Sequence, residues 1–198
     1  MVAVVAGCGP ATTRTIDGLH GFVPPAATSR PAFTLTTLRG QPFAFDRATA
    51  GRLTFLFFGY TNCPDVCPAT MANLGAVLGR LTAEDRQNIS VVFVTTDPER
   101  DTPERLTEWL HHFDPAFIGL TGTPEQVKAA QQAAGVAPAV RDTTLPSGEY
   151  FVSHAAQVIV VSPDDSVHIQ YPAGTMQRDW ADDLPGLRRL WSGVARRS

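Results

Sequence analysis

Apolar residues come in short, nearly unbroken runs closed by polar turns, and between those runs they recur at steps of three and four. Leu53 to Phe58 (LTFLFF), ended by Gly59, and Ile89 to Thr95 (ISVVFVT) are the two strongest runs. Runs so short and continuous predict strands covered on both faces. For the first, a buried helix turn is the alternative, disfavoured by its length and its three Phe. Between them, Met71, Leu74, Leu78 and Leu81 share one stripe of a helix of roughly 14 residues. Pro68 sets its start, because at the first helical position the missing N–H costs nothing. That start puts Cys67 at the N-cap and Cys63 in the preceding loop.

The remaining pattern extends this alternation. Phe33-Thr34-Leu35 and Phe43-Ala44-Phe45 alternate around Arg39-Gly40-Gln41-Pro42, which predicts a hairpin. Thr102-Pro103 marks a helix start followed by an apolar face of Leu106, Trp109, Leu110 and Phe113. Phe117 to Thr121 reads as a short strand. Thr123-Pro124-Glu125-Gln126 has the form of a capping box whose helix continues to about Ala134 and stops at Gly135. Ala137 to Gly148 has loop composition, and Tyr150 to His154 leads into an apolar strand, Ala156 to Val161. Ser162-Pro163-Asp164-Asp165 then turns the chain into Val167 to Tyr171, an alternating pattern that fits an antiparallel strand with one wet face. Trp180, Leu184, Leu187 and Trp191 space a last helix, kinked or restarted at Pro185. Early alternation of strand and helix with a late antiparallel pair predicts an α/β protein of thioredoxin-like order. Its central mixed sheet is flanked by helices and carries an N-terminal hairpin.

A chain of 198 residues fits one domain, able to bury about 70% of its unfolded surface without help from a metal or a disulfide. That domain is expected over residues 32–198. Cys8 to Pro31, rich in Gly, Pro, Ser, Thr and Ala, reads as a flexible tether. The net charge is −3, with 16 basic and 19 acidic residues spread along the chain. Without a basic stripe, nucleic acid is not an expected partner. No apolar run reaches the length of about 18 residues that a transmembrane helix needs.

Met1 to Gly7 is nonetheless apolar, and Val5-Ala6-Gly7-Cys8 looks like the lipobox before the lipidated cysteine of bacterial lipoproteins. The basic and apolar regions of a secretory signal are both short here. Either the true start lies upstream of Met1, or Cys8 is incidental in a disordered tail. We expect Cys8 to carry lipid, which places the domain outside the cytoplasm, anchored to the outer face of a bacterial cytoplasmic membrane. A total of 3 cysteines then resolves into one pair and one lipid-bearing residue.

The chemistry concentrates between the first two strands. Unpaired amides and the helix dipole favour anionic sulfur at both Cys63 and Cys67. Two thiolates with three residues between them can share one metal ion or close to a disulfide. The alternative is a pair of reduced, buried cysteines acting as small hydrophobes. Pro64, Asp65 and Pro68 mark a surface loop instead. Asp97 stands at the carboxyl end of its strand, where α/β sheets gather ligand sites, although turns often carry such a carboxylate. Of the 5 histidines, His111 and His112 have no second ligand at metal-binding spacing, His168 lies on the solvent side of an edge strand, and His20 is in the tether. His154, in a loop entering a buried strand, can lean toward the cysteines or serve as a satisfied structural residue.

Three ordered motifs carry a resemblance that spans about Phe33 to Trp191. They are Phe58-Gly59-Tyr60-Thr61-Asn62-Cys63-Pro64-Asp65-Val66-Cys67-Pro68, then Thr96-Asp97-Pro98-Glu99-Arg100-Asp101-Thr102-Pro103-Glu104, then Val152-Ser153-His154. Together they closely resemble the Sco/SenC copper chaperones, which have a thioredoxin-like fold and assist assembly of the copper centre of cytochrome c oxidase. The resemblance implies one copper ion, Cu(I) or Cu(II), held by Cys63, Cys67 and His154, with Asp97 near enough to tune it. It also implies as partners a copper-bearing oxidase subunit and another extracytoplasmic copper carrier. Two positions depart from the family pattern: Asn62 replaces a usual His, and Ser153 replaces a frequent Asp that would orient His154 or raise its basicity.

Softness supports that assignment, since thiolates satisfy Cu(I) while an imidazole also suits Cu(II). The competing enzyme reading is a thiol-disulfide oxidoreductase working through Cys63 and Cys67 without obligatory metal. Its CxxxC spacing differs from the CxxC of thioredoxin-type motifs. A peroxiredoxin is weaker still, because Tyr60 stands where that family's threonine precedes the cysteine. A purely structural lipoprotein domain would require both cysteines to be dispensable.

Overall fold

The computed structural model describes residues 18–24, 28–143 and 150–191. In chain order, the first half contains β1 (Thr28–Ser29), β2 (Thr34–Thr37), β3 (Pro42–Ala44), α1 (Phe45–Ala48), β4 (Leu53–Gly59), α2 (Val66–Leu78), α3 (Ala83–Gln87) and β5 (Ile89–Thr95). The second half adds α4 (Pro103–His111), β6 (Ile118–Thr121), α5 (Pro124–Ala133), β7 (Val140–Asp142), β8 (Phe151–Ser153), β9 (Val158–Val161), β10 (Ser166–Tyr171) and α6 (Gln177–Trp191).

Eight strands form one sheet in the order β1-β10-β9-β4-β5-β6-β2-β3. β4, β5 and β6 run parallel, while β9 and β10 add antiparallel beside β4. This is the mixed, thioredoxin-like sheet that the sequence pattern predicts. Every residue of β4 and β5 is buried, as expected for central strands covered on both faces. The period of two decides which helix each residue meets. Phe55, Phe57, Val91 and Phe93 pack with α2, α4 and α6 through Met71, Leu74, Leu106, Leu110, Trp180 and Leu184. Leu56, Phe58, Val92 and Val94 pack with α1 and α5 through Phe45, Val127 and Ala130. Successive crossovers from β4 to β5 to β6 advance in one direction, so α2 and α4 share a face. The N-terminus of α2 therefore opens beside the carboxyl end of the central strand.

Local signals placed several ends correctly. The side chains of Thr102 and Thr123 cap α4 and α5, and Thr123 and Gln126 complete the capping box. Gly40, at φ +77°, turns the β2–β3 hairpin, whose β2 docks antiparallel on β6. α6 runs through Pro185 as one helix. The start of α2 differs from expectation: Asp65 is its N-cap, Cys67 lies inside the first turn and Pro68 is the third helical residue. Proline is tolerated there because none of the first N–H groups of a helix has an intrahelical partner.

The expected tether is partly built into the fold. Thr28 and Ser29 pair with β10, and Phe22 bridges Gln170. Arg30 is buried, donating to Asp165 Oδ1 at 2.7 Å, Thr49 Oγ1 at 2.7 Å and the Ser162 carbonyl at 2.9 Å. His20 bonds the buried Asp183 carboxylate through both its amide and Nδ1, each at 2.7 Å, and Tyr171 donates to the same carboxylate. Polar composition hid this strap because its order comes from long-range hydrogen bonds rather than from an apolar period. Cys8 lies outside the described residues. No helix among the described residues is long and apolar enough to cross a membrane.

Candidate metal centre

The site begins at Gly59. A Cβ there would lie 2.8 Å from Cys67 Sγ, 2.8 Å from a Phe57 ring carbon and 3.1 Å from Phe93. Only a glycine lets the Cys67 sulfur sit against the end of β4. The sequence pattern marks this residue only as the end of the strand. Tyr60 follows, buried, and its carbonyl accepts the Cys63 amide at 3.2 Å, which curls the loop back toward α2.

Cys63 is half-buried and Cys67 fully buried, both as free thiols. The Cys67 amide, in the first turn of α2, points at Cys63 Sγ at 3.4 Å. A hydrogen bond from the Cys67 thiol, above all, pulls the Cys63 thiol down to about 4, against burial and with help from the amides of Cys67 and Asp65. Cys67 is driven strongly upward by that same bond to Cys63 and then by burial. The two sulfurs thus share one proton, held on Cys67. Anionic sulfur was expected at both positions, but two charges this close in a dry pocket repel, and only Cys63 ionises freely. A cation held here would take the place of the shared proton.

His154 follows β8 directly. Its Nε2 is 3.4 Å from Cys67 Sγ, while Nδ1 lies 3.1 Å from the Ala155 carbonyl. Since a carbonyl only accepts, the Nδ1–H donates to it, leaving the Nε2 lone pair for a metal. The rings of Phe57 and Tyr60 meet the imidazole near 90°, at 6.1 and 5.7 Å between centroids. Backbone and two aromatic edges therefore orient His154 in a chain that has Ser153 where an acid often stands. The donor atoms of Cys63, Cys67 and His154 all lie within 4.8 Å of one another. Two sulfurs and one imidazole nitrogen at that spacing suit a single soft or borderline cation.

Asp97 is outside this trio. Its buried carboxylate accepts the Tyr150 hydroxyl at 2.9 Å and the Arg100 guanidinium, and its amide donates to Thr95 Oγ1 at 3.0 Å. The carboxylate that grips the cysteine loop is Asp101, which the sequence reading did not single out. Asp101 accepts from the Thr61 amide at 3.1 Å, the Thr61 hydroxyl at 2.5 Å and the Thr95 hydroxyl at 2.6 Å. Burial pushes its carboxyl above the ordinary range, opposed by those bonds. Arg105 completes the network, donating to Thr61 Oγ1 at 2.8 Å and to Asn62 Oδ1. Asn62, the other departure from the family pattern, is therefore held as part of the loop scaffold. The polar turn from Thr96 to Pro103 held the signal for both acids, but only the fold distinguishes which one faces the loop. His112 bonds the Glu108 carbonyl and His20 bonds Asp183, so neither joins the site. The side chain of His168 lies outside the described residues.

The SCO1/SenC family profile matches residues 24–188. A Stutzerimonas stutzeri protein named for copper binding is 38% identical over 177 residues, covering 88% of this chain and 81% of its own. The solution structure of apo Sco1 from Thermus thermophilus aligns with a TM-score of 0.75 and 31% identity over 89% of this chain and 99% of that one. ScoI of Bradyrhizobium japonicum, solved with copper bound, aligns at 0.70 and 30% over 81% and 99%. The chain spans about a third to a half of the length of mitochondrial relatives from yeast and Arabidopsis thaliana. With the profile covering most of the chain and the cysteine and histidine motifs inside it, the chain belongs to the SCO1/SenC family.

Proposed function

We propose that the protein is a copper carrier. Cys63, Cys67 and His154 bind one copper ion outside the cytoplasm and pass it to the copper-bearing subunit of cytochrome c oxidase. One observation supports this most: an imidazole 87 residues along the chain from Cys67 returns to place its free nitrogen 3.4 Å from that sulfur. Thiolates hold Cu(I), and adding the imidazole lets the same pocket hold Cu(II). The half-buried Cys63 is the side from which an incoming ligand displaces the first bond, with Cys67 releasing last. Copper arrives from another extracytoplasmic carrier, and Cys8 bears the lipid that keeps the domain at the membrane; a native protein whose mass shows an unmodified Met1 would remove the anchor.

Titration with Cu(II) tests the ligand set. Cys63→Ser and Cys67→Ser should each abolish the thiolate-to-copper charge-transfer band. His154→Ala should weaken binding by more than the ~10–100-fold that follows loss of an outer-shell partner. Undiminished binding in the histidine variant would exclude the three-donor site.

A second reading rests on the asymmetry of the thiols. Cys63 is accessible and pulled down to about 4 while Cys67 is buried and pushed up, an arrangement suited to an attacking and a resolving cysteine. Reduction of a partner disulfide by metal-free protein, at equal rates with and without His154, would favour exchange over carriage.

A further inference from the structure

The strands that deliver His154 stand outside the main sheet. Among the described residues β7 and β8 pair only with each other, apart from the eight-stranded sheet. Such a two-stranded hairpin is marginal by itself. Val140 and Phe151 are 64% and 47% exposed, and Ala139, Arg141 and Val152 line a cavity of about 330 Å³ together with residues of α5 and the Thr96–Glu99 turn. Val152 supplies the buried anchor, with its amide 3.3 Å from the Tyr60 hydroxyl. The Ala139 amide, donating to Gln131 Oε1 of α5 at 3.0 Å, ties down the start of β7, but neither contact sets the angle of β8.

The angle is set at Tyr150, four residues before His154. Arg100 donates to the Tyr150 carbonyl at 3.0 Å, and its guanidinium carbon sits 3.6 Å from the centre of the Tyr150 ring. The Tyr150 hydroxyl reaches Asp97, which also receives Arg100. Arg141 of β7 covers the Tyr150 ring at 4.2 Å and pairs with Glu99 at 2.6 Å. Backbone, ring and hydroxyl of one tyrosine are thus gripped by side chains of a single turn. Arg100 further lies 5.9 Å from the centre of the Tyr60 ring, which packs edge-on with His154.

We propose that Arg100 is a positioning residue: through Tyr150 and Asp97 it clamps the β7–β8 hairpin at the angle that brings His154 over Cys67. The same turn holds the cysteine loop through Asp101, so one short segment registers both halves of the site. Asp97 acts on the metal through the histidine rather than from beside the ion. The inference rests on the copper-carrier reading for its consequence, though not for its geometry.

Two measurements test it. In the metal-free protein, Arg100→Gln should erase the nuclear Overhauser contacts between the His154 and Tyr60 rings. In copper-loaded protein, the same change should speed copper release to a competing chelator by about tenfold, the scale of a lost cation–π contact and charged hydrogen bonds. Arg100→Lys, which keeps a cation over the ring, should recover part of the loss. Tyr150→Phe, a milder change that keeps the test open if Arg100→Gln folds poorly, should speed release about threefold. In a His154→Ala background none of these changes should accelerate release further, whereas a merely structural role would add its full effect. Preserved ring contacts with release rates within about twofold of wild type would overturn the clamp. A wild-type protein that takes up no copper would overturn the carrier reading instead, and the ring contacts would still decide the clamp.

Discussion

Gly59→Ala should lose both stability and metal affinity, although it adds only a single methyl group. The new carbon would stand 2.8 Å from Cys67 Sγ and 2.8 Å from the Phe57 ring, inside contact distance on two sides. None of the neighbours has room, since Phe57, Phe93 and Cys67 are all fully buried. Overpacking of this kind costs about 1–3 kcal/mol, and here the element that yields is a metal donor. Displacing the sulfur breaks its approach to His154 Nε2 at 3.4 Å. Denaturant unfolding should show a loss of about 2–3 kcal/mol, and chelator competition an affinity at least tenfold weaker. Wild-type copper affinity in this variant would show that the Cys67 position is not set by the strand end.

The second large effect is expected at Asp101. Asp101→Ala removes the acceptor for the Thr61 amide, the Thr61 hydroxyl and the Thr95 hydroxyl, all in a buried pocket. Each buried donor left without a partner costs about 1–3 kcal/mol, though the two hydroxyls can partly turn to other acceptors, so a total near 3–4 kcal/mol is expected. Asp101→Asn keeps one oxygen and should lose about half as much. Amide exchange at Thr61 should quicken in both variants, because its hydrogen bond fixes the loop that carries Cys63. Unfolding within about 1 kcal/mol of wild type in Asp101→Ala would mean that water replaces the carboxylate and the loop is held elsewhere.

The two acids show where sequence legibility stops. Asp97 and Asp101 share one polar turn and one chemistry, and both are buried. Asp97 was singled out for standing at the end of β5, yet it points to Tyr150 while Asp101 turns to Thr61. What decides is the direction of the chain after Pro98, which no local pattern records. The strands β4 and β5 were legible because continuous burial leaves continuous apolar sequence. The starts of α4 and α5 were legible because a threonine followed by a proline satisfies a helix end locally. β7 was not: Val140, Arg141 and Asp142 are all exposed, so no apolar period marks them, and only their pairing with Phe151–Ser153 makes them a strand. The trio of Cys63, Cys67 and His154 came partly from chemistry, which selected the two sulfurs. The histidine needed the resemblance, because its contact with Cys67 crosses 87 residues of sequence.

The most direct test of the copper site is X-ray absorption on protein loaded with one equivalent of copper, beside the His154→Ala variant. One ion per chain is expected, surrounded by two sulfur donors and one nitrogen, with the outer-shell scattering of an imidazole that vanishes in the variant. A first shell with fewer than two sulfurs, or an imidazole signal that survives the loss of His154, would contradict it.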